Sequence, residues 1–571
     1  MRHSTSLLRL TGSIALLVFG TSATGCQLLA GLGGEEPLAA TGGAGGAGAT
    51  GGAGGTGGSG GTTGSTDTGG SGGTGLTGPC SPGEEQACYT GPAGTDGTGE
   101  CRSGNALCTE EGMWGACDGE VVPQIESCAT PTDEDCNSYD CTVWVKVIPG
   151  EVYGETVAVD AQGNVLVALA YYAATDLGDG MPVVPVGNSD MVVLKYDKAG
   201  NLTWKKTFPV AGEQYLRAIA VDAAGNIAIG GESDAAVDYG TGMQPKGSFV
   251  IKLSPEGVPQ WTRVGTAVGS GPFPTFGYLD FDSKGNVFAG GSAAGIDLGV
   301  GAALISGDPQ SFFIAKLDGG TGAPMWSKIS KGGAVETISG LQVDPSDSPV
   351  LTGTWDGMYI GLASATQTPP NDHYNCCGQD APFLLRLDPD GVDSDAKMLA
   401  GFGPLSASVT DMDVDKFGAA AMVGSFSGVL DVQSGPWDAG TVSSYFVIRD
   451  QTSGFNQWSK VLIGNADIGS GADRVAVDGS DNMVMSGTFY GPADFGGGPL
   501  LSGSQFLLKL DKDGNHLWSR GYSFGDGGIK DIAAGTLEDE TAIIGTFYGS
   551  ADLGTGLIEA QQGFFIARLG K

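Results

Sequence analysis

The sequence has very few histidines and few basic residues. Among its 571 residues there are 3 His and 28 Lys plus Arg, against 64 Asp plus Glu, so the formal net charge is −36. A chain this acidic repels the phosphates of nucleic acids, and it gains no electrostatic attraction to anionic lipid. Beyond the N-terminus, His373 and His516 are the only histidines that a Ser-His-Asp triad could use. Motifs for a zinc protease, a phosphate loop or a nucleophile elbow are also missing.

Long apolar runs are missing too, apart from a short one near the N-terminus. Ile14 to Phe19 follow two arginines, and Ala23-Thr24-Gly25 precede Cys26. The run is too short to span a bilayer, and the pattern predicts a signal peptide over residues 1–25. Small residues ending on Gly-Cys resemble the bacterial lipobox, which implies that Cys26 is lipidated and becomes the mature N-terminus. The alternative is an ordinary secretory signal with a free Cys26.

Two features bear on where the chain resides. Gln27 follows the cysteine, where an Asp would indicate retention in the inner membrane, so the lipobox resemblance implies an outer-membrane or cell-surface position. Residues 40–79 are nearly all Gly, Thr, Ala and Ser. Such a segment has too little apolar surface to offset the entropy lost on folding. We therefore expect residues 26–79 to combine the lipid anchor with a disordered linker.

Eight of the 11 cysteines lie within residues 80–141. An even number of cysteines in a short exported segment predicts a disulfide-stabilised module with four bridges, and the sequence leaves their pairing open. Metal ligation is the alternative, but paired C-x-x-C spacing and histidine are both missing there. The eight are Cys80, Cys88, Cys101, Cys108, Cys117, Cys128, Cys136 and Cys141.

The stretch CSPGEEQACYTGPAGTDGTGECRSGNALC resembles a module common in surface proteins of myxobacteria. The following ESCATPTDEDCNSYDC loosely resembles the acidic, cysteine-containing metal-binding segments found beside that module. This resemblance implies Asp133, Glu134 and Asp135 as candidate Ca²⁺ ligands. A solvated acidic turn is the alternative that we favour, and Ca²⁺ stays a possible cofactor.

From residue 142 onward one unit repeats roughly every 60 residues. Each copy alternates apolar and small residues, ends in Asp, makes a D-x-x-G-N-like turn, and alternates again, which is typical of a β-hairpin. A second hairpin follows in each copy, giving four strands per unit. Counting a degenerate copy at 530–545, there are seven units, and the sequence predicts an all-β, seven-bladed β-propeller over residues 142–571. The turn aspartates are Asp160, Asp222, Asp282, Asp344, Asp415 and Asp478.

The two ends of this region predict how the ring closes. The last unit ends at GFFIARLGK and lacks a fourth strand, whereas TVWVKVIPG (142–150) precedes the first unit and carries the W-x-K pattern of fourth strands. We therefore expect the strand containing Trp144 to pair with the strand containing Phe565. The V-D-x-x-G-N and F-V-x-K-L pieces resemble the bacterial seven-bladed β-propeller repeat family, a resemblance that implies architecture and no particular activity.

Features shared by the units are attributed to the fold, and a feature of one unit becomes a candidate for function. Asp-Leu-Gly, Asp-Tyr-Gly or Asp-Phe-Gly triplets open the long connections, and we expect their carboxylates to cap local backbone N–H groups rather than to share Ca²⁺. Tyrosines near the same connections could stack on sugar rings, although packing between blades is favoured. The triplets begin at Asp176, Asp238, Asp297, Asp494 and Asp552, and the tyrosines are Tyr171, Tyr172, Tyr490 and Tyr548.

One long connection, containing PPNDHYNCCGQD (369–380), differs from the others. It holds the propeller's only cysteines, Cys376 and Cys377, together with Asp372, His373 and Tyr374. The favoured interpretation is a surface loop stapled by a vicinal disulfide. The alternative is a ligand-facing element, because vicinal disulfides lie over the cofactor in quinoprotein dehydrogenases, or a metal site formed by the acid, the imidazole and a thiolate.

These observations favour a monomeric, lipid-anchored binding or scaffold protein whose partner is an extracellular protein or polysaccharide. The competing class is an exported enzyme, either a quinoprotein-like dehydrogenase or a polysaccharide lyase or hydrolase, with its site on the face that carries the long connections.

Overall fold

The structure is a computed structural model that describes residues 78–124 except 93–94, residues 134 and 136, and residues 142–570 with internal gaps. All the elements in this described part are β-strands. It contains no helix of the length and apolarity needed to cross a membrane. The predicted signal peptide, Cys26 and the predicted linker lie outside the described residues. The gaps are 270–272, 307–310, 332–335, 356–361, 364–380, 399, 432–435, 439–443, 451–455, 463–470, 490–492, 497–498, 501–503, 537–539 and 555.

The cysteine-rich segment forms one small antiparallel sheet held by disulfides. Its strands are β1 (Glu85–Cys88), β2 (Gly104–Cys108) and β3 (Trp114–Asp118), in the order β1-β2-β3. Disulfides join Cys80 to Cys108, Cys88 to Cys117, and Cys101 to Cys136. So short a segment has little apolar core, and cross-links of this kind stabilise it. Cys128 and Cys141 lie outside the described residues, as do Asp133 and Asp135.

Seven antiparallel sheets follow. Each contains a set of four strands that forms one blade, and the blades are numbered 1 to 7 along the chain. The chain enters through β4 (Thr142–Pro149). Blade 1 comprises β5 (Val152–Val159), β6 (Val165–Tyr171), β7 (Asp190–Tyr196) and β8 (Leu202–Phe208). Blade 2 comprises β9 (Gln214–Val221), β10 (Ile227–Ser233), β13 (Gly247–Leu253) and β14 (Pro259–Ala267), with β11 (Val237–Asp238) and β12 (Met243–Gln244) in its long connection.

Blades 3 and 4 repeat the plan. Blade 3 comprises β15 (Tyr278–Phe281), β16 (Val287–Ser292), β19 (Phe312–Leu317) and β20 (Pro324–Ser330), with β17 (Gly295–Asp297) and β18 (Leu304–Ile305) in its connection. Blade 4 comprises β21 (Glu336–Val343), β22 (Pro349–Trp355), β24 (Ala381–Leu387) and β25 (Asp393–Met398), with β23 (Leu362–Ala363) in its connection.

Blades 5 to 7 complete the set. Blade 5 comprises β26 (Ala400–Val414), β27 (Ala420–Asp431), β29 (Ser444–Asp450) and β30 (Asn456–Leu462), with β28 (Pro436–Asp438) paired to β27. Blade 6 comprises β31 (Gly471–Val477), β32 (Met483–Thr488), β35 (Gln505–Leu510) and β36 (His516–Tyr522), with β33 (Ala493–Asp494) and β34 (Pro499–Leu500) in its connection. Blade 7 comprises β37 (Gly528–Ala534), β38 (Thr541–Asp552), β39 (Leu557–Leu569) and β4.

The pairing of β4 with β39 closes the ring as the sequence predicts. Phe565 lies opposite Val147, and Arg568 lies opposite Trp144. The first strands of neighbouring blades contact one another all the way round, from β5 through β9, β15, β21, β26 and β31 to β37 and back to β5. The prediction of an all-β, seven-bladed propeller with four-stranded blades is therefore confirmed, and the first strands surround a central channel.

The D-x-x-G-N turns owe their shape to the aspartate. In blade 1, Oδ1 of Asp160 accepts the backbone N–H groups of Gln162 and Asn164 at 3.0 and 2.9 Å, and Oδ2 accepts from Nδ2 of Asn164 at 2.7 Å. Gly163 supplies the positive φ of 77° that the turn requires. Nζ of Lys195, on the third strand, lies 3.0 Å from the same carboxylate in a buried ion pair. This one aspartate thus ties the first hairpin to the second.

Tryptophans of the fourth strands join five of the seven blades to the next blade in the ring. Nε1 of Trp261 in blade 2 donates to the carbonyl of Gly319 in blade 3 at 3.1 Å. A Cβ on Gly322 of that turn would lie 2.5 Å from Cε3 of the Trp261 ring, so only glycine lets the ring pack this closely. Four other tryptophans donate to the next blade's turn in the same way: Trp144, Trp204, Trp326 and Trp458.

The long connections that are described fold outward rather than over the channel. β17 of blade 3 pairs with β14, the outermost strand of blade 2, and β23 of blade 4 pairs with β20 of blade 3. In the Asp-Leu-Gly triplet of blade 1, Oδ1 of Asp176 accepts two backbone N–H groups at 2.9 and 3.0 Å. The next residue, Leu177, is fully buried against Trp144 and Tyr196. The triplets therefore cap turns, as predicted, and also fill the groove between outer strands.

Candidate functional site

The central channel forms a cavity with a volume of about 610 Å³. It is lined by residues of all seven first strands, whose side chains alternate between the channel and the sheets. The lining of the channel is polar, although the interiors of the blades that surround it are apolar. The functional site is therefore best sought among the channel residues that differ from blade to blade.

A β-bulge interrupts the register of six of the seven first strands at the same place. In blade 6, for example, Ala472 and Arg474 pair with successive residues of β32, and Asp473 is left out of the ladder. A bulge adds a residue on one strand and reorients the side chains beside it. Here it places Arg474 and its equivalents in other blades at one level of the channel, which we call the upper ring.

The upper ring consists of the residues that lie four positions before the turn between the first two strands of each blade, which begins at Asp160 in blade 1 and at Gly535 in blade 7. It contains two carboxylates, Asp411 and Asp531, on either side of Arg474, with Tyr278 across the channel. Nε of Arg474 lies 3.6 Å from Oδ1 of Asp531, and Oδ2 of Asp411 accepts the N–H of Val475 at 2.9 Å. The other members are Thr156, Ala218 and Gly340.

Burial governs the electrostatics of the upper ring. It raises the pKa of Asp411 to about 7, although the neighbouring guanidinium of Arg474 acts in the opposite direction. It also raises the pKa of Asp531, and it raises that of Tyr278 to about 12 with a contribution from Asp411. Burial alone would lower the pKa of Arg474, but the surrounding carboxylates outweigh it and raise that pKa. The ring thus holds a permanent cation beside Asp411, a carboxyl group that can gain or lose a proton near neutral pH.

A second level, the lower ring, lies two residues closer to the turns and contains Asp280, Gln342 and Asp413. Asp280 accepts the backbone N–H of Val343 in the next blade at 2.7 Å, and burial raises its pKa to about 7. Asp413 accepts from Val477 in the same manner at 2.7 Å, and burial raises its pKa to about 6. These two carboxyls therefore join blades as well as line the channel.

The end of the channel nearest the long connections carries exposed tyrosines. Tyr153, near the start of β5, is exposed and contacts Tyr172 edge-to-face, with ring centroids 5.4 Å apart. Tyr215 occupies β9 in the next blade, and its hydroxyl donates to Oε2 of Glu213 at 2.8 Å. Arg217, which lines the channel, lies with Cζ 5.6 Å from the Tyr215 ring. The channel and this tyrosine-bearing surface are therefore continuous.

The structure places only some of the residues singled out in the sequence. Tyr171 is buried, in agreement with packing inside the fold, whereas Tyr548 is 37% exposed. Nε2 of His516 hydrogen-bonds to the Ser519 hydroxyl at 3.0 Å, and burial lowers its pKa. Glu134 accepts a backbone hydrogen bond from Gln124 through its carbonyl. The candidate ligand loop and one of the four tyrosines near the long connections lie outside the described residues: Asp372, His373, Tyr374, Cys376, Cys377 and Tyr490.

Sequence reasoning missed the channel residues. The pattern contained a signal, because the alternation in GYLDFD, TDMDVD and DRVAVD places a charged side chain where ETVAVD has a small one. Those charges occupy positions that face neither solvent nor the apolar core, and only a central channel accounts for them. Within the described residues no group of three or more His, Cys, Asp or Glu is arranged to hold a metal ion.

No protein-family model and no curated protein matches the chain. Solved structures that are similar include the β-propeller domain of the trilobed protease from Pyrococcus furiosus, at 9% identity, with 72% of this chain and 97% of that chain covered and a TM-score of 0.36. A mutant of puromycin hydrolase is 11% identical over 73% of this chain and 52% of that chain, with a TM-score of 0.39. A Synechocystis apocarotenoid oxygenase variant is 12% identical over 75% and 93%, with a TM-score of 0.34. The assignment of seven blades and of ring closure rests on the chain's own strand pairing.

Proposed function

We propose that this chain is an exported, lipid-anchored protein whose propeller binds an extracellular partner at the end of the channel nearest the long connections. The signal and Cys26 motif support the export and the anchor, and the Gly-rich linker would hold the propeller away from the membrane. The described disulfides fit an oxidising, extracytoplasmic compartment.

The observation that carries the proposal is the composition of the upper ring. The turn aspartates, the tryptophan contacts and the Asp-Leu-Gly triplets recur in most blades, as expected of features that hold the fold together. The upper ring instead differs from blade to blade and concentrates Asp411, Arg474 and Asp531 in three consecutive blades. A part-exposed cluster of mixed charge, opposite a tyrosine and at the end of an open cavity, is suited to orienting a polar ligand.

The partner class follows from charge. A net charge of −36 opposes polyanions such as nucleic acids or acidic polysaccharides. An extracellular protein or an uncharged polysaccharide fits this surface better. The propeller needs no second copy of the chain to complete its ring, which is consistent with a monomer.

The test compares the full chain with Arg474→Gln and with a matched control, Lys512→Gln. Both variants remove one positive charge, but Lys512 lies exposed on a turn at the opposite end of the blades. Binding is measured on a glycan array and against fractionated envelope proteins. We expect Arg474→Gln to weaken the dissociation constant roughly tenfold, since hydrogen bonds to charged groups contribute about 1.5–3 kcal/mol. Lys512→Gln should leave binding unchanged. Equal binding by the two variants, or no ligand in either screen, would contradict the proposal.

An exported polysaccharide hydrolase or lyase is the second candidate. It is favoured by Asp411, a carboxyl whose pKa is raised to about 7 beside a cation in a cavity, as in a general acid. In the same assays, release of new sugar ends from a bound glycan, abolished by Asp411→Asn with binding retained, would favour the enzyme. The quinoprotein hypothesis depends on the Cys376–Cys377 loop, and a change in absorption on adding quinone with Ca²⁺ would test it.

A further inference from the structure

Three tyrosines form an aromatic surface at the channel end nearest the long connections, and we call Tyr153, Tyr172 and Tyr215 the tyrosine rim. Tyr153 and Tyr215 are 41% and 38% exposed, which is unusual for large aromatic side chains on inner strands. The rings of Tyr153 and Tyr172 meet at 87°, so together they present a corner made of one ring face and one ring edge. The rim spans the boundary between blades 1 and 2.

Hydrogen-bonding side chains are interleaved with these rings. Glu213 accepts from the Tyr215 hydroxyl through Oε2 and from Nδ2 of Asn188 through Oε1, at 2.8 and 3.0 Å. Arg217 pairs with Glu232 at 2.7 Å, directly across the strand pair from Tyr215. Aromatic faces therefore alternate with a carboxylate, an amide and a guanidinium that are held in fixed positions.

This combination fits sugars better than it fits a protein surface. The C–H face of a sugar ring packs on an aromatic ring, while its hydroxyls need planar donors and acceptors at the edges. A dry protein interface would favour a contiguous apolar patch instead, and here each ring is bordered by polar groups. The acidity of the whole chain selects against polyanionic glycans.

We infer that the tyrosine rim is a binding site for an uncharged polysaccharide, an inference that rests on the proposed binding function and names its ligand class. The site extends toward the channel on one side and toward blade 7 on the other. Arg217 connects it to the channel, and Tyr548 of blade 7, which is 37% exposed, occupies the same register position as Tyr172 of blade 1. Several consecutive sugars of one chain would thus contact blades 7, 1 and 2.

The experiment measures retardation of the full chain in native gels that contain a soluble β-1,3-glucan, a β-1,4-glucan, an α-1,4-glucan or a galactomannan, with polygalacturonate as the polyanion. Retardation gives a dissociation constant for each polymer. The variants are Tyr153→Ala, Tyr215→Ala and Tyr215→Phe. The matched control is Phe417→Ala, which removes an aromatic side chain that is 71% exposed on a turn at the other end of the blades.

At least one uncharged polymer should retard the chain, and polygalacturonate should not. Each rim alanine variant should weaken that dissociation constant about tenfold, corresponding to roughly 1.4 kcal/mol for a lost stacking contact. Tyr215→Phe keeps the ring and should retain most of the affinity, whereas Phe417→Ala should behave like the parent chain. Circular dichroism of each variant confirms that the blades remain folded.

Two results would overturn the inference: no retardation by any uncharged polymer, or equal retardation of the parent and both rim alanine variants. These outcomes are separable from failure of the proposed function. If the sugars fail but a purified envelope protein binds and loses affinity in Arg474→Gln, the binding function stands and the sugar assignment falls. If neither ligand class binds, both fall.

Discussion

Several carboxyl groups of the central channel form hydrogen bonds between blades. Asp280 in blade 3 accepts the N–H of Val343 in blade 4 at 2.7 Å, and Asp531 in blade 7 accepts the N–H of Val157 in blade 1 at 2.8 Å. Each such bond satisfies a backbone donor that the central channel leaves without a neighbouring strand. In return, each carboxyl group lies in a narrow channel, where it loses most of its hydration and its charged form is disfavoured.

The protonation of Asp280 should therefore make stability depend on pH. Burial raises its pKa in the folded chain to about 7, whereas an unfolded chain releases that proton near pH 4. Between these values the folded state holds the proton more tightly, so this group's contribution to stability falls as pH rises from 4 to 7. Asp280→Asn removes the titration, and we expect its free energy of unfolding to change less between pH 8 and pH 5.5 than that of the parent chain. The difference should be of the order of 1 kcal/mol after allowing for channel water.

Urea unfolding at the two pH values measures this difference. Asp390→Asn is the matched control, because it changes the net charge equally on an exposed turn and should preserve the parent's pH dependence. Gln342 occupies the same level in blade 4, which shows that an amide fits there. Identical pH dependence in the parent and Asp280→Asn would show that the carboxyl does not titrate as described.

The roles of the repeating residues could be assigned from the sequence, whereas the contacts made by the channel residues could not. A turn aspartate such as Asp160 is identifiable because its role depends on residues two and four positions away. The pairing of Asp160 with Lys195, or of Asp280 with the Val343 backbone, depends instead on contacts between hairpins or between blades. The bulge beside Arg474 could not be predicted for a similar reason, because it becomes apparent only when the two strands are aligned.

At the level of strands, fastening by fourth-strand tryptophans is uneven around the ring. Blade 4 has Asp395 at the position opposite Arg386 where the other blades have tryptophan. At that boundary Lys397 of blade 4 instead contacts the buried carboxylate of Asp450 in blade 5. The sequence after Leu387, LDPDGVDSDAKM, contains no tryptophan, but nothing in it indicates that a buried ion pair takes the place of the tryptophan contact.

Replacing two equivalent tryptophans, one that contacts a turn of the next blade and one that does not, should show how much that contact contributes to stability. Trp261 packs on Gly322 of blade 3 and donates to Gly319, whereas Trp518 of blade 6 faces a blade whose third and fourth strands are not joined by a turn. We expect Trp261→Ala to lower the free energy of unfolding by about 3 kcal/mol, as for other buried aromatic truncations. Trp518→Ala should cost clearly less, because it has no equivalent turn to fasten. Denaturant unfolding of both variants is the measurement, and equal losses would contradict a role for the turn contact.

At the scale of the whole molecule, stability depends on joining residues that are more than 400 positions apart in the chain. β4 covers the outer edge of β39, and Trp144 and Ile148 of β4 enter the same apolar cluster as Leu169 of blade 1. Without β4, blade 7 would present an unpaired edge and expose part of that cluster. Ring closure therefore converts seven local hairpin pairs into one cooperative unit.

Deletion of residues 142–149 should accordingly destabilise the propeller more than any single substitution. We expect a lower unfolding temperature, loss of a single cooperative transition, and association of chains through the exposed edge of β39, since an uncovered strand pairs readily with another chain. Calorimetry and light scattering measure these effects.

Deletion of residues 80–120 is the control, because it removes the three-stranded disulfide sheet but leaves β4 in place, and it should leave the propeller transition intact. A synthetic peptide of residues 142–150 should restore the single transition when added in excess. A truncated chain that stays monomeric and unfolds at the parent temperature would show that the β4–β39 pairing is dispensable.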